Sequence, residues 1–203
     1  MLNINRQMRL SILGTPGSGK STQARRISKV CGLAHIYPGE LLRLEAQSDS
    51  PLAGRIREYI EAGQLVPSDI VFYLVEREIT HSFDRFVLDG FPRTMTQVLE
   101  LEFLLSKLNA KLDALILLEV SRDEIMRRLL ARGRPDDTPD IIERRIDIFR
   151  RETDPVIQFY RQAGILSVVD GEGTPDVVTC RILSALGIKS ASPTVHNDSG
   201  KNT

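Results

Sequence analysis

Arg9-Leu10-Ser11-Ile12-Leu13, followed directly by Gly14-Thr15-Pro16-Gly17-Ser18-Gly19-Lys20-Ser21-Thr22, is the stretch on which the reading of this chain turns. The opening run is mostly apolar and suits a short buried strand. The glycine-rich run after it has the spacing Gly-x-x-x-x-Gly-Lys-Ser. Glycines at these places let backbone N–H groups turn inward around phosphate oxygens, where a Cβ would block approach. A helical stretch then runs to Val30 and stops at Gly32, and its N-terminus adds a partial positive charge at the same point. In this setting Gly17, Ser18 and Gly19 line a phosphate cradle and Lys20 reaches the β- and γ-phosphates of a bound nucleotide. Ser21 and Thr22 offer hydroxyls to magnesium or phosphate.

Outward from this loop, strands and helices alternate. A brief strand near 35–37 precedes helical segments at about 40–48, 52–62 and 68–81, with Pro51 and Pro67 at the starts of the last two. Phe86-Val87-Leu88-Asp89 reads as a strand, 94–109 as a helix, and 112–120 as an apolar strand covered on both faces. Beyond these come a helix over 121–132, a polar loop at 133–138, a long helix over 139–163, a strand at 165–169 and a helix at 175–186. This order predicts an α/β fold with a parallel sheet between helical layers, its ligands lying beyond the carboxyl ends of the strands. Residues 190–203 are polar and aperiodic, as in a disordered tail.

Composition narrows the function classes. The chain of 203 residues suits one domain, and its 27 cationic and 27 anionic residues give no formal net charge, which argues against nucleic-acid binding through bulk positive charge. The cations divide into 21 Arg and 6 Lys, and the planar guanidinium fork suits bidentate phosphate contacts. Cys31 and Cys180 lie far apart and form no CxxC, so two reduced thiols are expected rather than a zinc site or a disulfide framework. No apolar run reaches the roughly 18 residues of a membrane span, and Met1–Arg9 lacks an apolar leader, so a cytoplasmic protein with no membrane partner is expected.

A second block, Leu88-Asp89-Gly90-Phe91-Pro92-Arg93-Thr94, ends the second long strand. Asp89 sits where a carboxylate can hold magnesium through water, and Arg93 where a cation can bind a phosphate on the acceptor side. With Gly14–Thr22, Pro38-Gly39-Glu40-Leu41-Leu42-Arg43 and the later arginines, the chain resembles the adenylate kinase family of nucleoside monophosphate kinases over about residues 8–187. The resemblance implies a P-loop NTPase-type fold, strand order 2-3-1-4-5, within a kinase domain over 1–189. It also implies a helical acceptor-binding insert near 37–66 and a short lid near 133–138; a monomer is expected. Arg43 and Arg93 would hold the acceptor phosphate, with Gly90, Phe91 and Pro92 beside it. Pro38, Gln97 and the backbone at Gln64, Leu65 and Val66 would face its base, and Gly173 would lie against the donor adenine. Arg128 and Arg132 are one helical turn apart. The family pattern puts them with Arg134 and Arg145 around the transferring phosphoryl group, Arg132 also on the donor side and Arg134 and Arg145 also on the acceptor side. The lid is of the short kind, and no zinc is expected there.

The chemistry fits these residue types. A phosphate acceptor is already anionic at neutral pH, so no general base is needed, and His35, His81 and His196 are expected to be structural or surface residues. The task is to align two polyanions and neutralise charge on the moving group, with ATP as donor and Mg²⁺ as its companion. Water competes with the acceptor, so lid and insert are expected to close together, with Gly63 and Gly133 as hinge points.

Two departures bear on the acceptor. Adenylate kinases usually have Ser-Thr-Gly-Asp where this chain has Tyr37-Pro38-Gly39-Glu40, and the Thr hydroxyl helps hold the AMP base. Pro38 has no hydroxyl and no N–H, so weaker or broader base recognition is expected with phosphate recognition intact. Relatives that accept UMP or CMP carry a small apolar residue there, but usually have Asn where this chain has Thr94, and Gln97 fits AMP. AMP is thus the expected acceptor. UMP or CMP, or a nucleotide sensor without turnover, are the alternatives.

Overall fold

In a computed structural model describing residues 7–61, 66–133 and 137–188, strand β1 (Met8–Gly14) is buried from its second residue onward and leads straight into the glycine loop. Beyond it come α1 (Lys20–Cys31), β2 (Ala34–Ile36), α2 (Pro38–Ala46), α3 (Ala53–Glu61), α4 (Ser68–Ser82) and β3 (Arg85–Asp89). The chain continues through α5 (Met95–Lys107), β4 (Ala114–Glu119), α6 (Arg122–Arg132), α7 (Pro139–Gln162), β5 (Leu166–Asp170) and α8 (Pro175–Ala185). The strands form one parallel sheet in the order β2-β3-β1-β4-β5, as the resemblance implied. Ile12 is in register with Asp89 on one side and Ile116 on the other, and Gly14 with Leu118. The phosphate loop, Asp89 and the end of β4 therefore emerge at the same edge, the position open to ligands in such sheets.

Helices cover both faces. On one, Leu10, Ile12, Val87, Ile116 and Leu118 pack with Ala24 and Ile27 of α1 and Val178, Ile182 and Leu183 of α8. On the other, Leu13, Phe86, Leu88, Leu115 and Leu117 pack with Ile79, Leu101, Leu105, Val156 and Tyr160 from α4, α5 and α7. The alternation of faces along each strand supplies both cores from the same short runs. Two smaller cores lie beside these, the first sharing Leu41 with the sheet core. Ala46, Ile56, Ile70 and Leu74 close α2, α3 and α4 on one another, and Ile125, Leu129, Ile142 and Ile146 join α6 to α7.

Element boundaries shift where local chemistry intervenes. Helix α2 begins at Pro38 rather than near 40, because Tyr37 is extended (φ −119°, ψ 103°) and Pro38 occupies the first helical turn, where its missing N–H costs nothing. Strand β4 begins at Ala114 rather than 112. Asp113 just before it accepts from the Arg9 backbone N–H at 2.8 Å and from Arg9 Nε at 3.2 Å. Thr94 is the N-cap of α5 and accepts from the Gln97 N–H. The expected tail at 190–203, the expected hinge residue Gly63, His196 and residues 134–136 of the expected lid lie outside the described residues. Among the described residues, no helix is long and apolar enough to cross a membrane.

Candidate active site

The phosphate loop is shaped by crowding as much as by its glycines. Gly17 and Gly19 have φ of 85° and 89°, the left-handed region that L side chains rarely adopt. A Cβ on Gly14 would stand 2.5 Å from Ser18 Oγ, and one on Gly17 2.9 Å from Leu129 Cγ. Thr15 Oγ1 and Ser18 Oγ are buried without a hydrogen-bond partner among the described residues, a costly condition for a polar atom. Lys20 Nζ is only 3.5 Å from the Thr15 carbonyl. Burial, then the charge of Arg93, push its pKa down to about 8; Asp89 pulls the other way and Arg132 lowers it again.

Asp89 has a fully buried side chain. Ser21 Oγ donates to one carboxylate oxygen at 3.0 Å and His35 Nε2 lies 3.3 Å from the other. The Ser21 hydroxyl and the Asp89 carboxylate are hard oxygen donors at the mouth of the phosphate loop, the donor chemistry Mg²⁺ takes.

The turn after β3 presents Arg93. Gly90 has φ of 70°, and a Cβ there would lie 2.6 Å from Arg93 Nη2 and 3.2 Å from Lys20 Cε. Phe91–Pro92 is a cis peptide. Ser11 Oγ donates to the Phe91 carbonyl at 2.7 Å, tying this turn to β1. Arg93 Nε donates to the Gly90 carbonyl at 2.6 Å, its backbone N–H donates to Gln97 Oε1 at 2.8 Å, and its carbonyl accepts from Thr153 Oγ1 at 3.1 Å. Arg93 is exposed to solvent. Burial lowers its pKa while Tyr37 and Asp89 raise it. Arg43, on α2, is exposed and lies with its guanidinium carbon 5.5 Å from the Tyr37 ring centroid. Pro38 and Val66 are half-buried; Gln64 and Leu65 lie outside the described residues.

The other flank holds the remaining arginines. Arg128 Nε donates to Glu124 at 2.6 Å, while its Nη atoms reach the Ser18 carbonyl at 3.3 Å and the Gly171 carbonyl at 3.1 Å, bridging the phosphate loop to the turn before α8. Gly173 in that turn is exposed, with φ of 101°. Arg132 donates twice to Asp137, and Arg145 Nη1 lies 3.5 Å from the same carboxylate. Arg134 lies outside the described residues. Hollows of about 450 Å³ along α7 and about 400 Å³ between α2 and α4 contain no residue of the phosphate loop.

Sequence reasoning assigned no role here to Glu124, Asp137, Tyr37, Ser11 or Thr153, and set His35 aside as structural. Only the Glu124–Arg128 pair, four apart on one helix, carried a readable signal; the others meet the site through the fold.

Cations converging from two sides on the carboxyl edge of a parallel sheet suit the passage of a phosphoryl group between anionic nucleotides. That defines the class of P-loop nucleotide phosphotransferases. A family profile described as adenylate kinase matches residues 12–165. Adenylate kinase from Nocardia farcinica is 43% identical over 182 residues, covering 89% of this chain and 99% of that protein. The Thermus thermophilus adenylate kinase is 41% identical over 180 residues, covering 87% and 95%, and that of Xylella fastidiosa 41% over 186 residues, covering 89% and 100%. The chain belongs to the adenylate kinase family.

Proposed function

We propose that this chain catalyses reversible, magnesium-dependent transfer of the terminal phosphoryl group of ATP to AMP, giving two ADP, as a cytoplasmic monomer. Family membership supports the reaction, and the geometry carries it in one observation: Lys20 of the donor loop and Arg93 of the acceptor turn flank a single point beside Gly90. Two phosphate chains meeting there would be in line between the loop and Arg93. Free thiols at Cys31 and Cys180 agree with a reducing compartment.

In this reading the loop's N–H groups, Lys20 and Thr22 hold the donor phosphates, and Gly173 faces its adenine. Arg43 and Arg93 grip the acceptor phosphate, and Gly90, Phe91, Pro92, Pro38, Val66 and Gln97 form the acceptor's surroundings. Arg128, Arg132 and Arg145 neutralise the moving group, each such arginine contributing on the order of 10³–10⁵ in rate in P-loop enzymes. Arg134, Gln64 and Leu65 are assigned by resemblance alone. Magnesium, held at Ser21 and through water at Asp89, would supply charge neutralisation on the donor phosphates. No side chain need take a proton from an acceptor that is already ionised.

A panel of AMP, UMP and CMP with ATP and Mg²⁺, scored for diphosphate formation, tests the proposal. AMP should give the highest kcat/KM. A preference for UMP or CMP would replace the acceptor, and absence of turnover with all three would leave a nucleotide-binding protein.

A further inference from the structure

We infer that Tyr37 is a positioning residue for the acceptor phosphate, its ring serving as the platform that pre-aims Arg43. This role rests on the proposed grip of Arg43 on that phosphate.

Arg43 has no hydrogen bond or ion pair with any described residue; its guanidinium carbon lies 5.5 Å from the Tyr37 ring centroid instead. That is within the range where a cation is held by the ring quadrupole, and the flat guanidinium stacks on aromatic faces as an ammonium does not. The ring is itself fixed. His35 lies nearly parallel to it, with centroids 6.3 Å apart and planes 14° apart, and His35 is anchored at the buried Asp89. On the side of α2, Gly39 leaves space: a Cβ there would come within 2.9 Å of Tyr37 Cζ and of its hydroxyl.

The backbone role of this position makes the ring's presence informative. Tyr37 is the N-cap of α2 and makes no side-chain capping bond, although Ser, Thr, Asp or Asn would. A capping bond is forgone where the ring meets Arg43. Unlike a carboxylate partner, the ring restricts the arginine without neutralising it, so the charge stays available to a phosphate. An arginine already confined loses less freedom on binding.

The test uses the full chain with ATP, Mg²⁺ and AMP, recording KM for each nucleotide, kcat and the thermal midpoint. Tyr37→Leu and Tyr37→Ser should raise KM for AMP by roughly threefold to tenfold, with smaller changes in kcat and in KM for ATP. Tyr37→Ser can also cap α2, so its melting point should match or exceed that of Tyr37→Leu, separating loss of aim from loss of fold. Tyr37→Phe keeps the ring and should restore KM for AMP to within about threefold of the parent. In an Arg43→Ala background the Tyr37→Leu penalty should vanish, since the two residues act as one unit. Damage by Tyr37→Phe equal to that by Tyr37→Leu would assign the effect to the hydroxyl and overturn the inference. So would an unchanged KM in Tyr37→Leu while Arg43→Ala raises it. An unchanged KM in Arg43→Ala would instead remove the acceptor reading on which the inference stands.

Discussion

The Asp137 carboxylate receives two hydrogen bonds from Arg132, Nε at 2.8 Å and Nη2 at 2.6 Å, and its side chain is only 1% exposed. Arg145 approaches the same group. A buried carboxylate between two half-exposed arginines fixes where both guanidinium groups point before any nucleotide arrives. Arg43 and Arg93, by contrast, form no ion pair with a carboxylate among the described residues.

Asp137→Asn should therefore loosen the lid-side arginines without touching Arg43 and Arg93. We expect kcat to fall by at least about tenfold with KM for AMP changing far less, and stability to drop by about 1–3 kcal/mol. Steady-state kinetics and thermal melting read the two effects separately; a rise confined to KM for AMP would contradict the assignment.

Lys20→Met should abolish turnover while stabilising the nucleotide-free protein. Burial lowers the Lys20 pKa to about 8, against an unfolded value near 10.4. Below pH 8 the charged lysine is a full cost to the folded state, and that cost fades as pH rises from about 8 through the unfolded value. The variant should thus melt higher than the parent at pH 7, by roughly 1–3 kcal/mol of stability, with the gap closing toward pH 10. Melting curves across that range check the sign.

Gly90→Ala places a methyl group 2.6 Å from Arg93 Nη2 on a residue whose φ is 70°. The left-handed conformation alone costs about 1–2 kcal/mol, and Arg93 must move. KM for AMP should rise more than KM for ATP, as measured by varying each nucleotide at saturating levels of the other.

Pro38→Thr supplies the hydroxyl this chain lacks at the first turn of α2. It should lower KM for AMP with little change in kcat, at a stability cost of up to about 1 kcal/mol from losing the proline constraint. If both kinetic constants stay put, the base is recognised elsewhere.

Most of the fold was legible because its determinants are local. The Gly14–Ser21 spacing, the continuous apolar run of β4 and the Pro139 start of α7 are each decided within a few residues. The strand order came from the resemblance that Gly14–Thr22 and Asp89–Thr94 carry, not from periodicity. What escaped was non-local. Nothing near Tyr37 in sequence says that its ring will meet Arg43, and Thr153 reaches the Arg93 carbonyl across 60 positions of chain. Asp137 was visible as a charge in a loop, but its burial depends on how α6 and α7 close over it. The short β2 was found within one residue, although only packing against β3 makes so brief a segment a strand.

The core of Ala46, Ile56, Ile70 and Leu74 is smaller than the two that sandwich the sheet; with Leu41, Leu42, Leu52 and Val66 packed against it, and Arg57 Nη1 donating to the Ala46 carbonyl at 2.6 Å, it joins α2 to α3. So small a patch can open by local melting at a fraction of the free energy that dismantles the whole molecule. Warming should then erode capture of the monophosphate several degrees before the sheet gives way, and amide exchange should be faster in α2 and α3 than in β1, β3 or β4. The ceiling on working temperature would be set by these few side chains rather than by the bulk of the protein.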